Sequence, residues 1–257
     1  MQITFYKYQG TGNDFVMIDN RSLDFPKQNT KLIHFLCDRR FGVGADGLIL
    51  LENDDAVDFK MVYYNADGNE SSMCGNGGRC LVAFANFLGV IKDKTAFTAV
   101  DGLHNATIDN DIVSLQMIDV ENIKEKENYS FLNTGSPHHV QLVQDIDTFN
   151  VFEEGKKLRY GLYGATGSNI NFVEETANGF TVRTYERGVE DETLSCGTGV
   201  TAVAIAMHKA RKTTTTKIPI KAMGGNLEIS FDVTDVGYAN IFLSGPAKQV
   251  FKGEIEC

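Results

Sequence analysis

Apolar and polar residues alternate along much of the chain with the period of two that is typical of a half-buried β-strand. Residues 1–7, 107–116 and 237–243 show this alternation. Residues 48–51 form a short, wholly apolar run that predicts a buried strand. The pattern therefore indicates a protein built largely from short strands.

Two segments have a helical composition without a polar face. Residues 79–91 and 200–208 are apolar on almost every side. A helix of this kind must be enclosed by the rest of the protein, so we expect each one to lie inside a curved sheet. A third, shorter helix is predicted outside the sheet over about residues 30–40, with Asn29 or Thr30 at its N-cap.

The chain also repeats itself. Residues 59–77 and 180–199 both indicate a strand, a polar turn and then Cys-Gly-x-Gly at the start of an apolar helix. Residues 10–16 resemble 135–141, and residues 97–102 resemble 220–225, in the same order and at nearly equal spacing. We therefore expect an α+β fold of two pseudo-symmetric duplicated domains, each a curved mixed β-sheet wrapped around a central buried helix. The charged run 121–128 is a predicted linker or solvated surface.

Composition narrows the class of protein. The 257 residues carry 24 Lys and Arg against 34 Asp and Glu, a formal net charge of −10. This acidity argues against nucleic acid or an anionic membrane as a partner. The chain lacks the long apolar run of a transmembrane helix and the apolar stretch of a signal peptide. We expect a cytoplasmic protein.

The cysteines and histidines give no sign of a disulfide framework or a metal site. An odd, scattered set of five cysteines argues against paired disulfides, and C-x-x-C does not occur. The five histidines also lack the spacing of metal ligands. Residues 42–47 match G-x-G-x-x-G, but a predicted helix precedes them and a strand follows, the reverse of a dinucleotide site. No cofactor and no metal ion are predicted.

Two of the cysteines have a different local setting from the rest. If the central helices begin just after Cys74 and Cys196, each thiol sits at an N-cap, where the helix dipole favours a thiolate. The Gly-x-Gly that follows leaves backbone N–H groups open to a carboxylate. One thiol can then remove a proton from a carbon held between the two, and the other can return one, which inverts a stereocentre. Asn65 and Glu186 occupy matching positions and are candidates for binding polar groups of the substrate.

Six sequence blocks together carry a family resemblance. Residues 10–15, 38–47, 65–68, 74–80, 186–188 and 196–199 resemble, in order, the motifs of the diaminopimelate epimerase family. The resemblance implies a cofactor-independent isomerase that interconverts LL- and meso-diaminopimelate in lysine and cell-wall precursor biosynthesis. It implies a homodimer, and two domains, residues 1–118 with about 250–257 and residues 119–249, with the active site in the cleft between them.

The same resemblance assigns roles to individual residues. Cys74 and Cys196 match the paired acid and base, and Arg187 suits the distal carboxylate of the substrate, which a guanidinium can bind through two hydrogen bonds. The residues that match helix-end carboxylate contacts are Gly75, Asn76, Gly197 and Thr198. The remaining matches to substrate-contacting positions are Asn13, Asn65, Asn169 and Glu186.

Two positions depart from the family pattern. Many members have Asn where this chain has Ser136, and some have Gln where it has Gly47. Cys37 and Cys80 are expected in the core, and Cys257 at a frayed terminus. His138 is expected to position groups rather than to bind metal.

Three other functions remain open from the residues. A proline or hydroxyproline racemase uses the same paired-thiol chemistry, but Arg187 and the asparagines argue against it. A thiol redox protein needs a resolving cysteine and a reductase partner. A small-anion binding module needs only the helix ends.

Overall fold

The computed structural model describes residues 1–71 and 73–257, which divide into two compact units. Unit 1 contains Met1–Leu115 and Gly245–Cys257, and unit 2 contains Gln116–Ser244. In chain order, the first elements are β1 Gln2–Gly10, β2 Asn13–Asp19, α1 Thr30–Cys37, β3 Gly47–Glu52, β4 Phe59–Asn65, α2 Gly75–Phe87, β5 Lys94–Ala99, β6 Gly102–Asp109 and β7 Ile112–Gln116.

The second part of the chain repeats this order with two three-residue strands added, and it ends with a strand that belongs to unit 1. Its elements are β8 Ile123–Glu125, β9 Ser130–Asn133, β10 Pro137–Leu142, α3 Val151–Gly161, β11 Asn169–Thr176, β12 Gly179–Glu186, β13 Asp191–Thr193, α4 Gly197–Lys209, β14 Lys217–Ala222, β15 Gly225–Val233, β16 Tyr238–Pro246 and β17 Lys248–Glu256. The last strand, β17, pairs antiparallel with β1 from Lys248 onward. The C-terminal segment of unit 1 begins at Gly245, whereas the family resemblance implies a start at about residue 250.

Strand pairing shows the duplication directly. In unit 1, β2 runs parallel to β3 across the α1 crossover, and β4 pairs antiparallel with β3. In unit 2, β10, α3, β11 and β12 follow the same plan. The strand that follows each central helix pairs in parallel with the strand that leads into that helix. Strand β5 pairs with β4, with Phe97 opposite Phe59, and β14 pairs with β12, with Ile220 opposite Phe180. The predicted duplicated α+β fold is confirmed.

The two central helices are enclosed, as their composition predicts. Residues 75–85 of α2 are buried and pack on β1, β2, β3, β6 and β17. The helix α4 is buried along most of its length against strands of unit 2 from β9 to β15. Apolar side chains on all sides of each helix therefore form the centre of its own unit.

The outer helix α1 is shorter than the predicted span of residues 30–40. Asn29 is its N-cap and accepts a hydrogen bond from the backbone of Leu32. The helix ends at Cys37 because Asp38 turns to an extended backbone, and its carboxylate accepts the backbone N–H groups of Arg40 and Phe41. A local side-chain turn thus replaces the last helical turn.

Two further segments differ from expectation. Residues 107–116 are not one strand but the end of β6, a tight turn with Asn110 at a φ of 53°, and β7. The helix α3 has no predicted counterpart, since only Val151, Gly155 and Arg159 in it are buried and the apolar pattern is weak. Among the described residues, no helix is long and apolar enough to cross a lipid bilayer.

Candidate active site

Cys74 and Cys196 are the N-cap residues of α2 and α4. Both have an extended backbone, and their carbonyl oxygens accept the first helical hydrogen bonds, from Gly78 and Val200. Both are partly exposed, whereas Cys37 and Cys80 are buried. Each thiol therefore lies at the positive end of a helix, where the helix dipole favours negative charge.

The second glycine of each Cys-Gly-x-Gly motif packs closely on its neighbours. A Cβ at Gly199 would lie 2.5 Å from the Asn171 Oδ1 atom and 3.4 Å from the Cys196 sulfur. A Cβ at Gly77 would lie 3.0 Å from the Ile49 side chain. The Cys-Gly-x-Gly pattern thus lets the first helical turn pack closely on the neighbouring strands.

In unit 1 a chain of hydrogen bonds joins the helix start to the loop after β1. Arg79 Nη2 donates to Thr11 Oγ1 at 3.0 Å, and Thr11 Oγ1 donates to Asn76 Oδ1 at 3.4 Å. Asn76 Nδ2 donates to Asn13 Oδ1 at 2.5 Å, and Asn13 Nδ2 donates to Asp46 Oδ2 at 2.9 Å. A guanidinium only donates and a carboxylate only accepts, so the two ends fix the orientation of both amides.

A cluster of ion pairs surrounds the Asp46 end of this series of hydrogen bonds. Arg39 bridges Asp14 and Asp46 at 2.6 and 2.7 Å, and the buried Lys7 pairs with Asp14 at 2.7 Å. Burial acts to raise the pKa of Asp14, but the hydrogen bonds and charges of Arg39 and Lys7 outweigh it and lower the pKa to about 2. The Asp14 carboxylate is therefore held as an anion, and Asp46, paired with the same arginine, accepts the hydrogen bond from Asn13.

In unit 2 a buried histidine takes the corresponding place. His138 Nε2 lies 2.9 Å from Thr198 Oγ1, and His138 Nδ1 lies 3.2 Å from Asn171 Nδ2. Thr198 Oγ1 is in turn 3.5 Å from the Cys196 sulfur. Burial lowers the pKa of His138 to about 3, so the imidazole is neutral. His138 aligns with Asn13 in the repeat, and Thr198 with Asn76.

The remaining candidates of unit 2 meet around Asn169. Its Oδ1 accepts from the Arg187 backbone at 2.8 Å, and its Nδ2 donates to Ser136 Oγ at 3.1 Å. The Arg187 guanidinium donates to Thr166 O at 3.0 Å and to Ser136 Oγ at 3.4 Å. Ser136, the first departure from the family pattern, thus links Asn169 to Arg187.

Asn65 and Glu186 lie at the ends of matching strands, β4 and β12. Glu186 Oε2 accepts from Thr193 Oγ1 at 2.8 Å. Asn65 pairs across the sheet with Gly47, the second departure, where a Cβ would lie 2.5 Å from the Tyr63 ring. Tyr63 therefore fills the space that a larger residue at position 47 would need.

The other cysteines are unsuited to act as nucleophiles or bases. Burial raises the pKa of Cys37 and of Cys80 to about 12, which keeps both as thiols. Cys257 is exposed at the chain end. Among the described residues, no group of three or more His, Cys, Asp or Glu side chains is arranged to hold a metal ion.

Several residues of these clusters lie outside the set of sequence candidates, among them Arg79, Thr11, Asp46 and Asn171. A charged residue inside an otherwise apolar helix was the available signal for one of them, Arg79. Thr11 and Asp46 lie in the motif blocks 10–15 and 38–47, but their roles, like that of Asn171, come from contacts with distant segments.

Comparison with known proteins identifies the family of the chain. The family model described as diaminopimelate epimerase matches residues 5–120 and 130–250. A diaminopimelate epimerase of Flavobacterium psychrophilum is 65% identical over 97% of this chain and 99% of its own length. Another, of Chlorobaculum tepidum, is 39% identical over 96% of this chain and 98% of its own length.

Solved structures show the same fold at low sequence identity. A PhzF-family phenazine biosynthesis protein of Bacillus anthracis is 13% identical and matches with a TM-score of 0.81 over 100% of both chains. A hydroxyproline epimerase of Agrobacterium vitis is 14% identical and matches with a TM-score of 0.72 over 99% of this chain and 91% of its own. The motifs, the duplicated fold and the extent of the sequence matches together establish that the chain belongs to the diaminopimelate epimerase family and is an isomerase.

Proposed function

We propose that the protein interconverts LL- and meso-diaminopimelate without a cofactor, with Cys74 and Cys196 as a thiolate and thiol pair. The observation that carries this proposal is the repeated N-cap position of the two cysteines. Close relatives named diaminopimelate epimerase support the choice of substrate.

The chemistry needs one thiol on each face of the α-carbon. The thiolate removes the α-proton, and the thiol on the opposite face supplies a new one. The two cysteines therefore exchange protonation states in each turnover and titrate as a coupled pair. The carboxylate at the reacting carbon binds the N–H groups at the helix starts, which stabilise its growing negative charge. These groups belong to Gly75, Asn76, Gly197 and Thr198.

The remaining candidates hold the rest of the substrate. Glu186 is an acceptor for the ammonium group, and Arg187 binds the distal carboxylate through its guanidinium. Rigid support favours these roles, since the Arg187 backbone is already hydrogen bonded to Asn169. Asn13 and Asn65 are further candidates for contacts with the polar groups of the substrate.

Exchange of solvent deuterium tests the mechanism. In deuterated water with LL-diaminopimelate and a reductant, the protein is expected to incorporate deuterium at the α-carbon without added cofactor. Cys74→Ala and Cys196→Ala each lose epimerisation by a factor of at least ~10³, while Cys257→Ser is the matched control and keeps full activity. Full activity in either alanine variant, or dependence on pyridoxal phosphate, contradicts the proposal.

A proline-type racemase is the second candidate, since a hydroxyproline epimerase shares the fold. The Arg187 guanidinium near Ser136 argues for a substrate with a distal charge. Deuterium incorporation into proline or hydroxyproline, with none into diaminopimelate, would favour this alternative.

The assembly and location complete the proposal. We infer a homodimer from the family resemblance, and a cytoplasmic location because the mechanism needs both thiols reduced. Light scattering of the purified protein tests the dimer. A monomer over the working concentration range contradicts that part of the proposal.

A further inference from the structure

Arg79 is a charged group buried in unit 1 without an acidic partner. Its side chain is fully buried, and Nη2 donates to Thr11. Among the residues that the structure describes, Nε and Nη1 have no hydrogen-bond partner. Burial lowers the pKa of Arg79, yet an arginine stays charged in a protein. An uncompensated interior charge destabilises a fold, so stability does not explain this residue.

The acidic groups on strands packed against α2 have other partners. Two thiols, Cys80 and Cys74, act electrostatically on the guanidinium. Cys80 is held as a thiol by burial, and its titration is also affected by Asp14. Most of the other charged or titratable groups on these strands pair elsewhere: Asp14 with Lys7 and Arg39, Asp19 with Arg21, Glu52 with Lys27, His104 with Asp101, Asp109 with Asn110, Tyr8 with Gln249, Lys248 with Asp111, Glu254 with Gln2, and Lys252 with the Tyr6 ring. Glu256 is exposed to solvent at the end of β17.

The guanidinium lies under the first turn of α2. Helical side chains point towards the N-terminus of their helix, and Arg79 follows the N-cap residue Cys74 by little more than one turn. A Cβ at Gly10 would lie 3.5 Å from Arg79 Nη2 and 3.2 Å from the Asn76 carbonyl oxygen. The buried charge therefore adds to the positive end of the helix that Cys74 caps.

Unit 2 has no charge at the matching position. Thr201 follows Cys196 as Arg79 follows Cys74, and it is also fully buried. Its hydroxyl donates to the Gly197 carbonyl at 3.0 Å within the helix. The two thiol sites thus differ by a buried positive charge in unit 1, whereas the charge that acts on His138 in unit 2, that of Arg187, is exposed to solvent.

We propose that Arg79 is a positioning residue that makes the two thiols unequal, holding Cys74 as the thiolate in the substrate-free enzyme while Cys196 is the thiol. This inference rests on the proposed two-thiol mechanism and assigns its resting state. From that state Cys74 takes the α-proton, the α-carbon takes the proton of Cys196 on its other face, and the pair keeps its total charge.

Alkylation of the two thiols tests the assignment. The pH dependence of iodoacetamide labelling is measured for the Cys74 and Cys196 peptides separately, by mass spectrometry of the substrate-free protein. In the wild type, Cys74 is expected to react at a lower pH than Cys196. In Arg79→Met, the Cys74 midpoint rises by at least about one pH unit, while the Cys196 midpoint stays in place as an internal control.

Two further measurements separate electrostatics from structure. Arg79→Lys keeps the charge, so its Cys74 midpoint stays within about half a unit of the wild type. Arg79→Met removes an uncompensated buried charge, so its melting temperature does not fall. A purely structural residue would give the opposite result, a less stable protein with unchanged labelling of Cys74.

The outcomes distinguish this inference from the proposed function. An Arg79→Met protein that fails to fold, or that keeps the wild-type Cys74 profile, overturns the inference. If Cys74→Ala still epimerises diaminopimelate at the wild-type rate, the proposed function fails. If Cys74→Ala is inactive and the Arg79→Met profile is unchanged, only the role of Arg79 is wrong.

Discussion

Replacing Gly199 with alanine tests the close packing under Cys196. The new Cβ would lie 2.5 Å from Asn171 Oδ1, well inside normal contact. Asn171 cannot retreat freely, because its Nδ2 donates to the His139 carbonyl at 2.8 Å and its Oδ1 accepts from Thr184 at 3.0 Å. Overpacking of this kind costs about 1–3 kcal/mol.

The helical preference of alanine offsets part of this cost. Alanine is favoured over glycine within a helix by roughly 0.5–1 kcal/mol, so we expect Gly199→Ala to lose about 1–2 kcal/mol of unfolding free energy. For a protein of this size, that loss lowers the melting temperature by about 2–8 °C. The Cβ also lies 3.4 Å from the Cys196 sulfur, and displacement of the thiol is expected to lower kcat at least about tenfold.

Gly161→Ala is the matched control. Gly161 ends α3, and no atom lies within 4 Å of a Cβ built there. This variant is expected to gain up to about 1 kcal/mol and to keep full activity. Thermal and urea unfolding, with epimerase assays, are measured on both variants. A Gly199→Ala protein with wild-type stability and kcat would refute the packing argument.

Three other predictions concern charge. The pKa of Asp14 is lowered to about 2, so its contribution to stability is present above about pH 4 and is lost as the pH falls towards 2. Asp14→Asn is expected to lose about 1–2 kcal/mol of unfolding free energy at pH 7. The midpoint of its urea unfolding is expected to depend less on pH between about pH 4 and 2 than that of the wild type. The pKa of His138 is lowered to about 3. Below about pH 6.5 the imidazole is therefore protonated in the unfolded state but not in the folded state, and the protein becomes less stable as the pH decreases. His138→Asn is expected to reduce this fall between pH 6 and 4, and an unchanged slope would contradict the buried neutral imidazole. Arg187→Met is expected to lower kcat/KM for diaminopimelate at least about 100-fold, with the exposed Arg211→Met as a control that keeps wild-type kinetics.

Much of the fold follows from local pattern. The apolar composition of the two central helices required enclosure, and the repeated Cys-Gly-x-Gly placed both cysteines at N-caps. The repeat also aligned Phe59 with Phe180 and Phe97 with Ile220. In the structure Phe59 lies opposite Phe97, and Phe180 lies opposite Ile220, so the aligned residues occupy equivalent positions. The helix α3 was not predicted, because few of its residues are buried and its apolar pattern is weak.

The sequence by itself determined the duplicated architecture, the family and the two N-cap thiols, because periodicity, glycines and motifs act over a few residues. Only the tertiary structure decided which polar groups support them. Arg79 and Thr11 are 68 residues apart in sequence, and Asn13 and Asp46 are 33 apart. Such partners are set by strand register and by packing around the buried helix, which no local pattern encodes. For the same reason, only the folded structure shows that Arg79 is buried without an acidic partner.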